Sequence, residues 1–321
     1  MVSIRHWLLM LLPFALWGTA MAAMTPLVST AGPLLVASLR LLPAGIVLLM
    51  AVPLMGRCLT VARSDWFWFL VFTVIDASLF QIFLARGLVQ TGAGLGSVLI
   101  DSQPLLVALL ARTLFGEAIN PIGWLGLMLG LLGILCLGAP SELLRHWWLL
   151  GEPVNGSGLW NGGEGWMLAA AVAMAFGTVI CRYACRNSDP VAVTGWHMVL
   201  GSLPLLVWHG FDRHWPLWPE WTWLDWSLMT YASLFGSALA YGLFFWFANR
   251  EELTSFSSLA FLTPVFALAA GGLLLEERLR PLQWSGVAMV LLSVGLVSIR
   301  SRFWDPSPPL PDRTKPEEIS G

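Results

Sequence analysis

The chain has 321 residues, 57% of them hydrophobic and only 11% charged, with a mean hydropathy of +0.74 and a net charge of −2. Soluble domains carry about 25% charged residues, so this composition excludes water as the main solvent. A charge so near zero also excludes a nucleic-acid partner held by basic residues.

A helix needs about 20 apolar residues to cross a bilayer. In chain order such stretches fall at roughly 7–27, 34–55, 66–87, 93–115, 121–139, 164–183, 190–210, 225–247, 254–275 and 281–299, predicting ten transmembrane helices. The first opens on Arg5 and His6 and passes through Ala20-Met21-Ala22, which mimics a signal peptide and its cleavage site. Its apolar run continues to about Leu27, however, so a retained helix is expected; Trp17 lies within it and could stack on a planar or cationic solute. The second span holds Arg40. The third holds Asp76, in FTVIDASLF, with no basic neighbour in sequence, and then Gln81. An intramembrane carboxylate is a functional candidate by default.

The fourth span contains LIDSQPLL, with Asp101 three residues before Pro104. Asp101 and Arg40 enter from the same side at similar depth. A buried ion pair between them, a site for a substrate amine and a proton-coupling carboxylate are all open readings for Asp101. The fifth span carries Gly123, Gly126, Gly130 and Gly133 on one face, which suits close helix packing. A polar, glycine-rich linker, EPVNGSGLWNGGEG, follows.

In the second half, Cys181 and Cys185 read as small packing residues; with Cys58 and Cys136 they show no metal-ligand spacing and imply no disulfide framework. His197 in the seventh span reads as a hydrogen-bonded histidine of the helix interior, although it could titrate near neutral pH. HWPLWPEWTWLDW places five tryptophans between the seventh and eighth spans, as an interfacial aromatic belt would. Ser237 and Tyr241 lie in the eighth span, where Tyr241 aligns with Gln81. The proline-rich, charged tail from residue 300 is expected to be disordered.

The chain is written twice. Shifted by 160 residues, SVLIDSQPLLVALLARTLFGEAINPIGWLG falls on SSLAFLTPVFALAAGGLLLEERLRPLQWSG. Pro104 meets Pro264, Glu117 meets Glu277, Pro121 meets Pro281, Trp124 meets Trp284 and Gly126 meets Gly286. Trp17-Gly18 falls on Phe176-Gly177 at a shift of 159. The expected units are therefore residues 1–139 and 164–299, with a linker at 140–163 and a tail at 300–321. An odd number of helices per copy inserts the second copy upside down, and such inverted repeats mark secondary transporters with a midplane site. Pro104 and Pro264, midway along helices 4 and 9, are candidate flex points, whereas Glu117 and Glu277 sit at helix ends and suit capping. Asp101 aligns with Phe261, so its charge is no requirement of the fold.

These residues resemble the drug/metabolite transporter superfamily, and more narrowly the EamA family of ten-helix carriers. The resemblance covers all but the linker and tail. It implies an all-α polytopic membrane protein of two inverted five-helix repeats around a cavity open to one side at a time, exporting amino acids, metabolites or drugs. The last helices lack the cluster of lysines and arginines that phosphate antiport would need.

With the N-terminus inside, eleven of the 17 lysines and arginines fall on the cytoplasmic side and five outside, with Arg40 in a span. Both termini are thus expected in the cytoplasm, at a bacterial inner membrane. The expected function is export of a small organic solute by alternating access, possible proton coupling included. Trp17, Arg40, Asp76, Gln81, Asp101, Ser237 and Tyr241 are the candidate binding or coupling residues. No P-loop supports an ATP-driven pump, and no cofactor or metal is expected. The alternatives are an intramembrane transferase or protease, against which the five scattered histidines count, and a channel.

Overall fold

The computed structural model describes residues 4–138, 163–212, 214, 216–275 and 281–303, and every regular element among them is helical. In the first repeat these are α1 (Ile4–Ala31), α2 (Pro33–Leu54), α3 (Trp66–Phe72), a π-helical segment (Thr73–Leu79), α4 (Phe80–Ile100), α5 (Gln103–Phe115) and α6 (Pro121–Gly138). In the second they are α7 (Gly163–Ala184), α8 (Pro190–Phe211), α9 (Trp223–Ser233), a π-helical segment (Leu234–Leu239), α10 (Ala240–Ala248), α11 (Leu253–Ser258), a 3₁₀ turn (Leu259–Leu262), α12 (Thr263–Leu275) and α13 (Pro281–Phe303). Eight spans are long and apolar enough to cross a bilayer, and the shorter apolar helices Gln103–Phe115 and Pro121–Leu137 complete ten. Large apolar side chains such as Leu8, Met50, Phe67, Leu125, Val207 and Leu292 face outward, as hydrocarbon allows and water does not.

Proline places the helix starts. Pro33 and Pro190 open α2 and α8, where the missing N–H costs nothing. Gly32 supplies the positive φ of 81° that the sharp turn from α1 into α2 requires.

Pro104 and Pro264 behave the same way, which corrects the expectation of prolines midway along helices. Pro104 lies in the first turn of α5, after a turn at Asp101–Ser102; Pro264 lies in the first turn of α12, after the 3₁₀ turn. Each chain breaks its helix just upstream of the residue that cannot donate. The expected loop at 88–92 is likewise not a break in the helix, because α4 continues to Ile100. Phe80 and Ile100 both belong to the cluster that packs on Ala170 and Ala173 of α7.

The two repeats interlock about a pseudo-two-fold axis, with α2 against α8, α6 against α13, and α4 and α7 echoed by α1 and α12. The pairs run antiparallel. Arg57, beyond the end of α2, meets Asp189 at the start of α8 at 3.4 Å. Along α6, Gly126 faces Val297, while Gly133 faces Val290 and Gly286. The connections near Arg57, Asp65, Glu117, Asp189 and Glu251 gather at one end of the bundle. There Asp65 accepts from the Asn187 backbone at 2.7 Å and from Ser188 at 2.7 Å. Most of the expected linker and tail lie outside the described residues; α13 itself runs past 299 to Phe303.

A Cβ on Gly133 would stand 2.7 Å from Val290 Cγ2 and 3.0 Å from the Gly286 carbonyl. Gly133→Ala should therefore cost about 1–3 kcal/mol through overpacking, read as a lower melting temperature of the purified protein. Gly295, with nothing within 4 Å, should accept alanine without that loss.

Candidate transport site

Trp17 on α1, Arg40 on α2, Asp76 on the first π-helical segment, Gln81 on α4 and Tyr241 on α10 converge in the middle of the bundle. Trp17 meets Tyr241 edge to face with ring centroids 5.1 Å apart, and the Arg40 guanidinium lies 5.9 Å from the same ring. Arg40 and Gln81 lie within hydrogen-bond reach of the Tyr241 phenol, and Asp76 is close to it. None of the five is more than 9% exposed, so the centre is closed to both sides.

Asp76 has a partner that its own sequence neighbourhood gives no hint of. Its Oδ2 lies 2.9 Å from Nε2 of His197 on α8, and both side chains are buried. The other ring nitrogen, Nδ1, donates to the Thr194 carbonyl at 3.1 Å. Phe72 stacks on the imidazole at 4.3 Å and Phe245 presents an edge at 5.6 Å. A Cβ on Gly177 of α7 would strike the Asp76 carboxylate, so glycine there makes room for the acid.

The repeat relates this pair to Arg40. Counted from their opening prolines, Arg40 and His197 are each the eighth residue of a 22-residue helix. Asp76 and Gly236 each stand three residues before the end of their π-helical segments. His197 therefore faces a carboxylate, while the position that the repeat relates to that carboxylate is Gly236, packed on Ala20. Arg40 Nε has no hydrogen-bond partner, and neither does the buried indole Nε1 of Trp17. The equivalence would have exposed His197 in the sequence, where it read as a lone histidine.

The remaining candidates lie differently. Ser237 is buried and donates to the Ala232 carbonyl of its own chain at 3.1 Å, the i−5 spacing of a π-helical turn. Asp101 is half-buried at the turn before α5 and forms no ion pair with Arg40. Beside it, buried Gln103 donates to Thr178 at 3.2 Å.

Glu117 accepts from the backbone of Leu253 at 2.9 Å and of Thr254 at 3.0 Å, and from the Thr254 hydroxyl at 2.8 Å. It thus caps α11 of the opposite repeat, while Arg182, 3.6 Å away, donates to the Ala248 and Glu251 carbonyls. Trp124 packs against the core, whereas Trp284 is exposed to the surroundings of the bundle. Glu277 lies outside the described residues.

Comparison with known proteins follows this geometry. The EamA-like transporter family matches residues 5–139 and 161–299. An uncharacterized transporter of Synechocystis sp. is 48% identical over 94% of this chain and 92% of its own length. A WAT1-related protein of Arabidopsis thaliana, described as chloroplastic, is 44% identical over 91% of this chain and 69% of its own. The uncharacterized inner membrane transporter YedA of Escherichia coli is 24% identical over 92% of this chain and 91% of its own. A solved crystal structure superposes with a TM-score of 0.77 at 17% identity, covering 92% of this chain and 97% of that one; it shares the fold.

Removing the Glu117 carboxylate leaves the first amides of α11 uncapped. Glu117→Ala should cost about 0.5–2 kcal/mol and accelerate hydrogen exchange at the Leu253 and Thr254 amides, measured by mass spectrometry.

Proposed function

The chain belongs to the EamA-like transporter family, and on that premise we propose that it exports small organic metabolites, amino acids or related compounds, by alternating access. The bundle is an integral membrane protein, and its solute site is the closed centre between the two repeats. We place it in a bacterial inner membrane with both termini in the cytoplasm, on the side where Arg57, Arg182, Arg186 and Arg250 gather. A proton gradient is the driving force proposed for net transport.

One observation carries the reading. Arg40 Nε and Trp17 Nε1 are buried donors without acceptors, on two sides of Tyr241. An unmade buried hydrogen bond costs about 1–3 kcal/mol, more for a charged group, and proteins rarely leave one without a reason. The repeat-related His197 has a carboxylate, Asp76, to accept from it, whereas Arg40 Nε has no partner. A solute bearing a carboxylate or a comparable acceptor supplies what the chain withholds. Around it, Trp17, Tyr241 and Phe244 provide aromatic surface. Closed on both sides, the centre has the form of the occluded state between two open ones.

Counterflow tests this directly. Proteoliposomes loaded with unlabelled amino acids and related acids should accumulate the labelled compound transiently and saturably, which a channel does not do. Trp17→Phe keeps the ring and removes the donor, and should raise the half-saturating concentration about tenfold. Amide or ester analogues of a carried acid should bind more weakly, and Arg40→Gln should erase that discrimination. Equal transport of acid and amide by wild type, unaffected by either substitution, would sink the proposed solute site.

A further inference from the structure

We propose that the Asp76–His197 pair is the proton-binding site of this carrier, and that it retains its proton only while the first π-helical segment and α8 are pressed together. This rests on the reading of the chain as a carrier and names the groups that would couple it.

Hydrogen-bond roles set the proton count. The Thr194 carbonyl can only accept, so Nδ1 of His197 carries a hydrogen. A neutral imidazole protonated there presents a bare lone pair at Nε2. An ionised Asp76 presents only lone pairs as well, and two such atoms repel at the observed 2.9 Å. The contact therefore contains one more proton, shared as a carboxylic acid donating to imidazole or as imidazolium donating to carboxylate. Both descriptions hold the same number of protons. Taking one away leaves a buried carboxylate facing a lone pair, and burial of an unpaired ion is costly. The contact then opens, and Asp76 turns towards water.

The surroundings make this one site rather than one of many. On its own segment, Thr73 and Ser78 are occupied with the Phe69 and Gly201 carbonyls. Gly177 faces Asp76 from α7 with no side chain, and α8 contributes only His197 and the Thr194 carbonyl. Phe72 and Phe245 sandwich the imidazole away from water. The charged or titratable neighbours across the centre are Tyr241 on α10 and Arg40 on α2. The Ser78–Gly201 bond of 3.1 Å lies two residues from Asp76 and joins the same two elements, so parting the pair strains a second link. One proton is taken from the water on one side when the pair closes, and released to the other side when it opens. No other bond is made or broken.

The test has two arms. Protein labelled with ¹⁵N-histidine in lipid nanodiscs reports on His197 by NMR, with His197→Gln used to assign its signals. Wild type should show hydrogen on Nδ1 and a hydrogen-bonded Nε2, and both the Nε2 signal and its response to pH should change in Asp76→Asn. If Asp76→Asn does not fold, Gly177→Ala, whose Cβ would strike Asp76 Oδ1 and stand 2.7 Å from the Asp76 Cβ and so push the whole side chain away, should produce the same loss of the Nε2 bond. A His197 titration identical with and without the carboxylate in place overturns the proposal.

In the second arm, an imposed pH gradient should accelerate net flux of a solute identified by counterflow, and both His197→Gln and Asp76→Asn should lose that acceleration. Wild-type counterflow with net flux indifferent to the gradient overturns proton coupling but leaves the carrier reading intact. Absent counterflow overturns the carrier reading, while the histidine titration still decides whether the pair shares a proton.

Discussion

The hydrocarbon around this bundle offers no hydrogen bonds, and that constraint decides the structure from the backbone to the centre. Helices satisfy their own amides, so what remains to be settled is where helices break and which polar side chains face one another. Breaks occur where proline removes a donor, at Pro104 and Pro264. Hydroxyls are absorbed locally: Ser38, Thr73, Thr178 and Ser202 all donate to carbonyls of the preceding turn. Others tie one repeat to the next, Ser78 to the Gly201 carbonyl and Ser233 to the Arg40 carbonyl at 2.9 Å. Four buried side-chain atoms among the described residues lack a partner, His209 Nδ1, Ser293 Oγ, Arg40 Nε and Trp17 Nε1, and the last two flank Tyr241. Asp76 and His197 can sit side by side only with a proton between them.

Duplication supplies the frame and asymmetry supplies the chemistry. Both copies have a π-helical segment at the same place, and each packs on the other repeat's second helix. Such segments hold an extra residue per turn and mark functional positions in helices. In one copy the segment carries Asp76 against Gly177; in the other it carries Gly236 against Ala20. The small residue has changed partners across the interface. That exchange leaves room for a carboxylate beside Gly177, whereas at Gly236 the corresponding space is filled by Ala20. Gln81 and Tyr241, aligned across the repeats, both remain polar but differ in size, so the two halves of the centre are chemically unequal.

Much of this was legible in the sequence because it rests on local or periodic signals. Span lengths, the duplicated Pro, Glu and Trp positions, and the residues Trp17, Arg40, Asp76, Gln81 and Tyr241 needed only hydrophobicity and alignment of the halves. The Asp76–His197 contact spans 121 residues and depends on the crossing of two helices from different repeats, which no local pattern encodes. An ion pair between Asp101 and Arg40 is one of three readings that the sequence leaves open, and it rests on depth alone. Depth is one coordinate of three, and the turn before Pro104 sets Asp101 apart from Arg40. Ser237 was read by its position in the span, but its hydroxyl serves the i−5 turn that the π-helical geometry creates. Glu117 was legible as a cap, though not as the cap of a helix in the other repeat.

The contacts at the ends of the bundle differ in how easily they can be exchanged. At the end with Arg57, the links are ion pairs and caps: Arg57 with Asp189, Arg182 with Glu117, His6 with Glu251, and Asp65 with Asn187 and Ser188. At the other end, Arg86 lies over Trp166 and Trp208, and Trp221 donates to Thr30 at 3.1 Å. The exposed links, such as His6 with Glu251, can be replaced by water at little cost, whereas Asp65 and Glu117 are largely buried in theirs. The central pair has no such substitute. A change of state that separates the first π-helical segment from α8 meets its largest resistance at Asp76 and His197, and that resistance vanishes with one proton. Control of that change of state therefore falls to the group at the centre whose bond depends on a proton.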